Sequence, residues 1–141
     1  MNINEFLKEI RVFGELKELK SEEETRTGYV FLVDSSKIIS ELSGLKPIPF
    51  LIQIKNEETM VLDFIVSKKL YKNIDMTRII NKINANFDYG KVYIDEEEDI
   101  IWRSTINLKS YNIDEFKKRV ETGIYAAIFI SWRVINNGKE Q

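Results

Sequence analysis

Neither cysteine nor histidine occurs among the 141 residues. Without cysteine there is no disulfide, no thiol nucleophile and no thiolate metal site. Without histidine the chain lacks the usual general base, the commonest metal ligand and any Ser-His or Cys-His pairing. An excess of positive charge is missing too: 21 Lys+Arg stand against 23 Asp+Glu, for a net charge of −2. A general nucleic-acid binder needs a surplus of Lys and Arg, so no nucleic-acid partner is expected. Long apolar runs are also absent. The longest, Ile124 to Ile130, falls far below the roughly 18–20 residues of a membrane span, and no membrane partner is expected. Phosphate loops of the GxGxxG or GxxxxGK(S/T) type do not occur. Met1-Asn2-Ile3-Asn4-Glu5 places acid early and carries no basic region before an apolar block, unlike a secretory signal. A cytoplasmic setting is expected.

What is present describes a globular domain: 43% apolar and 31% charged residues, with no linker or repeat dividing the chain, so residues 1–141 read as one domain. Ile3, Phe6, Leu7, Ile10 and Phe13 keep helical spacing, which predicts a helix from Ile3 to about Leu19 that bends or ends at Gly14. Asn2 and Glu5 fit its capping box. Tyr29 to Val33 reads as a strand, and Asp34-Ser35-Ser36 as the cap of a brief helix over Lys37 to Leu42. Phe50, Ile52 and Ile54 alternate with Leu51, Gln53 and Lys55, and Met60, Leu62, Phe64 and Val66 keep the same two-residue period after a polar turn. They predict an antiparallel hairpin with one face in a core and Asp63 on the other. Asp75 caps a helix whose apolar stripe is Met76, Ile79, Ile80, Ile83 and Phe87, with Asn84 on the polar side. A second hairpin runs from Lys91 to Leu108 around Glu96-Glu97-Glu98-Asp99, with Trp102, Ser104, Ile106 and Leu108 on one face. Asn112 and Glu115 form a capping box for the last helix.

The predicted order is α-β-(α)-β-β-α-β-β-α, an α+β domain with an antiparallel sheet of about five strands. Ile83-Asn84-Ala85-Asn86, Val92-Tyr93-Ile94-Asp95, the acidic turn, Ile100 to Leu108 and the helix from Asn112 resemble the YbjN-like family, named a putative bacterial sensory transduction regulator. The Phe50–Val66 hairpin sits where that family places its central strands. The resemblance implies a fold like that of the type III secretion chaperones. It also implies a dimer-forming domain that binds other polypeptides or acts as a regulatory adaptor, and it brings no catalytic residues.

Among candidate sites, the five acids Asp95 to Asp99 lack the alternating ligands and glycine of an EF-hand loop and read as a solvated turn that discourages edge association. Lys68-Lys69 with Tyr71-Lys72 reads as a solvated connection. No metal or cofactor is expected, and no carboxylate pair marks an enzyme. The run from Ile124 to Ile130 is apolar around most of a helix, although a buried strand is a rival reading. As a helix, it presents Tyr125, Ile128, Phe129 and Trp132 as a candidate protein interface for a homodimer. Completion of the domain's own core is the other account of these residues. The outer sheet face around Leu51 and Ile101 is a candidate surface for a client polypeptide. Two functions follow: a non-enzymatic protein-binding module, chaperone-like or regulatory, or a small-ligand domain with its site between sheet and helices.

Overall fold

A computed structural model describes residues 3–19, 27–42, 44, 46–56, 58–68, 76–110 and 112–139. The first helix, α1 (Ile3–Ile10), buries Phe6, Leu7 and Ile10. It stops well short of Leu19. A 3-10 turn over Arg11–Phe13 leads into strand β1 (Gly14–Leu19), which pairs antiparallel with β2 (Thr27–Val33) from Gly14↔Val33 to Leu19↔Gly28. Gly14 permits the change: a Cβ there would collide with the Leu32 carbonyl, so the close strand approach requires glycine. After β2, the Asp34 carboxylate accepts hydrogen bonds from the Ser36 N–H at 3.1 Å and the Ser36 hydroxyl at 2.6 Å. The cap closes only a 3-10 turn, Ser35–Lys37, where a short helix over Lys37 to Leu42 was expected.

The β3 (Ile48–Lys55) and β4 (Thr59–Lys68) hairpin follows the alternation, in the register Phe50↔Phe64, Ile52↔Leu62 and Ile54↔Met60. The Phe50 and Phe64 rings stack with centroids 4.8 Å apart, a cross-strand pair of the kind that fixes register. Helix α2 (Met76–Asn86) connects to the hairpin β5 (Lys91–Ile94) and β6 (Asp99–Asn107), and α3 (Ile113–Lys139) completes the order. Asn112 caps α3 as the capping box predicts, its side-chain oxygen accepting the Glu115 N–H at 2.8 Å. The Asn2 and Asp75 caps and the Lys69–Lys72 stretch lie outside the described residues.

The class is α+β, as expected, but the antiparallel sheet has six strands in the order β1-β2-β3-β4-β6-β5. The sixth is β1. Apolar side chains of α1, α2 and α3 share one core with the inward residues of the strands. Phe116 of α3 lies at its centre, with the rings of Phe6, Phe31 and Phe13 at 5.5, 6.0 and 6.4 Å. Among the described residues no helix lies on the opposite sheet face.

Asn84 corrects the polar-face expectation. Its amide donates to the Val92 carbonyl at 3.0 Å and accepts the Val92 N–H at 2.8 Å. Those two backbone groups belong to the outer edge of β5, the last strand of the sheet, so α2 supplies a side chain where a further strand would otherwise pair. Replacing Asn84 by Ala leaves both groups to solvent and should cost about 1–3 kcal/mol in urea unfolding. Ile83→Ala, at a position 1% exposed, should cost about 2–5 kcal/mol. An Asn84→Ala cost within about 0.5 kcal/mol, the surface norm, would show that water serves that edge equally well.

Candidate protein interface

The run from Ile124 to Ile130 is helical, and its neighbours sort it by direction. Ile124, Ala126 and Ile130 are buried in the core. Tyr125, Ile128 and Trp132 are 44%, 47% and 58% exposed. These three follow one another at spacings of 3 and 4, the seam period onto which a second helix packs. Phe129 departs from the group. It packs against the core, and its ring meets that of Phe87, beyond the end of α2, edge-on at 6.3 Å. Of the four candidates Tyr125, Ile128, Phe129 and Trp132, three are exposed and Phe129 is turned toward the core.

The helix-free sheet face carries the second candidate surface. Pairing places Val30, Leu51, Asp63 and Arg103 in one row, with Ile65, Ile101 and Tyr93 in the next. Leu51 and Ile65 are each 37% exposed, whereas Ile101 is only 5% exposed. Its cross-strand neighbours Ile65 and Tyr93 leave Ile101 a floor residue and not an open contact. The Arg103 guanidinium forks onto Asp63 at 2.6 and 2.8 Å and lies over the Tyr93 ring, 5.2 Å from its centroid. Asp63 holds the Arg103 guanidinium above its ordinary value. Burial, then the Asp63 charge, push the Tyr93 phenol up, so it is neutral at physiological pH. Residue types alone do not reveal this cluster; its signal is the cross-strand register that sets Asp63 opposite Arg103.

The acidic turn is built by its own first residue. The Asp95 carboxylate accepts the N–H groups of Glu97 at 3.0 Å and Asp99 at 2.9 Å, and Glu98 takes a left-handed conformation at φ 65°. No group of three acids among the described residues is arranged to hold a metal ion.

Another hollow, of about 760 Å³, lies where the end of α2 meets β5, β6 and Arg119. It is the place a small ligand between sheet and helices would use. Its cations are already engaged. Arg119 reaches Glu115, the Tyr89 and Thr105 carbonyls and the Ser104 hydroxyl at 2.8–3.2 Å. Lys91 reaches the Asn84 carbonyl at 3.1 Å. Arg119 and Ser104 both donate to the Tyr89 carbonyl, which holds Tyr89 in its left-handed conformation at φ 71°. These groups brace the α2–β5 turn.

No family model and no curated protein matches the chain, and the likeness to the YbjN-like family stands as a resemblance of pattern. Among solved structures, the chain is similar to an uncharacterized protein from Methanothermobacter thermautotrophicus. That match has a TM-score of 0.67 and 12% identity, and covers 95% of this chain and 97% of the other. A chain of the ExsC–ExsE complex aligns with a TM-score of 0.48 and 11% identity over 92% of this chain and 93% of its own length. The first of these shows a shared architecture, and an architecture alone does not assign an activity. No helix among the described residues is long and apolar enough to cross a membrane.

Proposed function

We propose that the chain is a non-enzymatic protein-binding module of the cytoplasm, a chaperone-like or regulatory adaptor that works as a homodimer. Two copies join through α3, and the helix-free sheet face takes an extended segment of another polypeptide. The observation that carries this reading is the stripe of Tyr125, Ile128 and Trp132, each more than 40% exposed. Scattered exposed apolar side chains are ordinary, but three in line on one long helix make a patch of the kind that marks interfaces. A two-fold pair lets the same stripe serve both chains.

Leu51 and Ile65 support the second surface, being apolar, one-third exposed and on the face that the helices leave open. Static light scattering at micromolar concentration should return twice the 16.6 kDa chain mass. A mass of one chain across the accessible concentration range would remove the dimer from this reading.

A further inference from the structure

The two outer edges of the sheet are finished differently. At β5 the Asn84 amide takes the outward N–H and C=O of Val92. At β1, the opposite edge, no group among the described residues does the same. The phase of the ladder fixes which groups stay open. Phe13 and Asp34 continue the β1–β2 register, and the Asp34 N–H donates to the Phe13 carbonyl at 2.8 Å. Alternation along an antiparallel ladder then turns the backbone of Glu15, Lys17 and Leu19 toward β2 and that of Gly14, Leu16 and Glu18 outward. The Gly14 N–H closes on the Arg11 carbonyl. Its C=O and both groups of Leu16 and Glu18 have no partner among the described residues.

Charged side chains on an edge commonly discourage pairing. Those of β1 instead select one partner. Glu15 and Lys17 share the helix-free side, 3.9 Å apart and each more than 60% exposed. In an antiparallel pairing, outward groups must meet outward groups, so a two-fold pairing of β1 with itself is centred on a residue that faces its own copy. Centring on Glu15, Lys17 or Glu18 sets like charges directly opposite, which opposes pairing. Centring on Leu16 sets Glu15 opposite Lys17 twice, and each lysine then stands between two glutamates. The same register brings Leu19 of each copy to the 3-10 turn of the other. Leu19 is 46% exposed, and Val12 in that turn is 61% exposed.

We propose that β1 pairs antiparallel with β1 of a second copy of the chain, centred on Leu16. The two six-stranded sheets become one, and their helix-free faces form a continuous surface. A strand of six residues per copy falls short of the roughly 20–30 residues a side of a stable interface, so this contact forms only at high concentration. It is distinct from the α3 pairing and stands without it. With both contacts, dimers join into assemblies of four chains.

The test is sedimentation equilibrium on the full chain. The mass at about 500 μM should rise toward twice the mass at about 10 μM, as a weak interface requires. It starts from two chains where α3 pairs the copies and from one where it does not. Lys17→Glu and Glu15→Lys, each confirmed as folded by circular dichroism, should each weaken this step at least about tenfold, because like charges then stand opposite at two places. Mixed in equal amounts, the two variants should associate again, since every glutamate then meets a lysine. The double exchange Glu15→Lys/Lys17→Glu should do so alone, and the wild-type step should weaken as salt rises.

A mass that does not rise by about 500 μM overturns the proposal. A rise that both single variants keep overturns it as well, since the contact then lies elsewhere. Single variants that stay apart when mixed overturn the Leu16-centred register and the proposal with it. None of these outcomes bears on α3, which the mass at low concentration decides.

Discussion

Gly123→Ala should destabilise the protein by about 2 kcal/mol or more, although the same exchange in an open helix gains up to about 1 kcal/mol. The reason is Trp102. Its side chain is fully buried, and a Cβ on Gly123 would lie 2.7 Å from both Cδ1 and Nε1 of the indole. The ring has little room to move, because Gly90 abuts it as well: a Cβ there would collide with Cζ2 and Cε2, next along the same side of the indole, and approach the Arg103 carbonyl to 2.8 Å. Two glycines from different elements thus let α3 and the α2–β5 turn close on one large side chain. Overpacking a site that cannot relax sits at the costly end of the observed range of about 1–3 kcal/mol.

Gly28→Ala is the control. Its Cβ would meet nothing nearer than 3.8 Å, so that exchange should be neutral or stabilise by up to about 1 kcal/mol. Thermal unfolding separates the pair, with Tm lowered by roughly 5 °C or more for Gly123→Ala alone. A double-mutant cycle locates the cause. Trp102→Leu removes the planar ring that Gly123 faces, and with it the indole N–H that finds no hydrogen-bond partner among the described residues. The Leu substitution should therefore cost less when Ala already occupies position 123. Additive effects would mean that the helix, and not the indole, suffers from the new methyl group.

Legibility in the sequence followed how local the cause was. The β3–β4 hairpin, β6 and the Asn112 cap are fixed by alternation or by a side chain reaching three residues along its own chain, and each reads directly. β1 does not. Leu16 and Leu19 continue the three-residue spacing of Leu7, Ile10 and Phe13, and only the pairing with β2 converts the segment to a strand. Asn84 looks like any polar-face residue until Val92 arrives beside it. Phe129 shows the same dependence on α3: its angle on the helix suits an exposed edge, but it packs against the core, its ring edge-on to Phe87 from the turn after α2. The Asp63–Arg103 fork and the shelter of Ile101 arise from strands far apart in sequence. The glycines at 90 and 123 are visible as glycines, but what they make room for is not.

Ile128→Glu should give a folded monomer, and the argument turns on which side of α3 each residue faces. Ile128 is 47% exposed, so a carboxylate there meets water in the single chain and leaves the buried stripe of Phe116, Val120, Ile124 and Ile130 untouched. In a two-fold dimer the same substitution enters the interface twice. Each half-exposed apolar side chain covered on association contributes roughly 2 kcal/mol at about 25 cal/mol per Å². Losing that term at both symmetry-related positions weakens the dimer by about 4 kcal/mol, or roughly a thousandfold in Kd, before any cost of burying the new charges. Tyr125→Glu should act in the same direction. Phe129→Glu should instead lower Tm sharply in the monomer, because it sets a carboxylate against Phe87 and the core. Sedimentation velocity and thermal melts on the three variants therefore make one decisive set: two that dissociate and stay folded, one that unfolds. If Ile128→Glu and Tyr125→Glu keep the wild-type sedimentation coefficient at every concentration, α3 does not join the two copies.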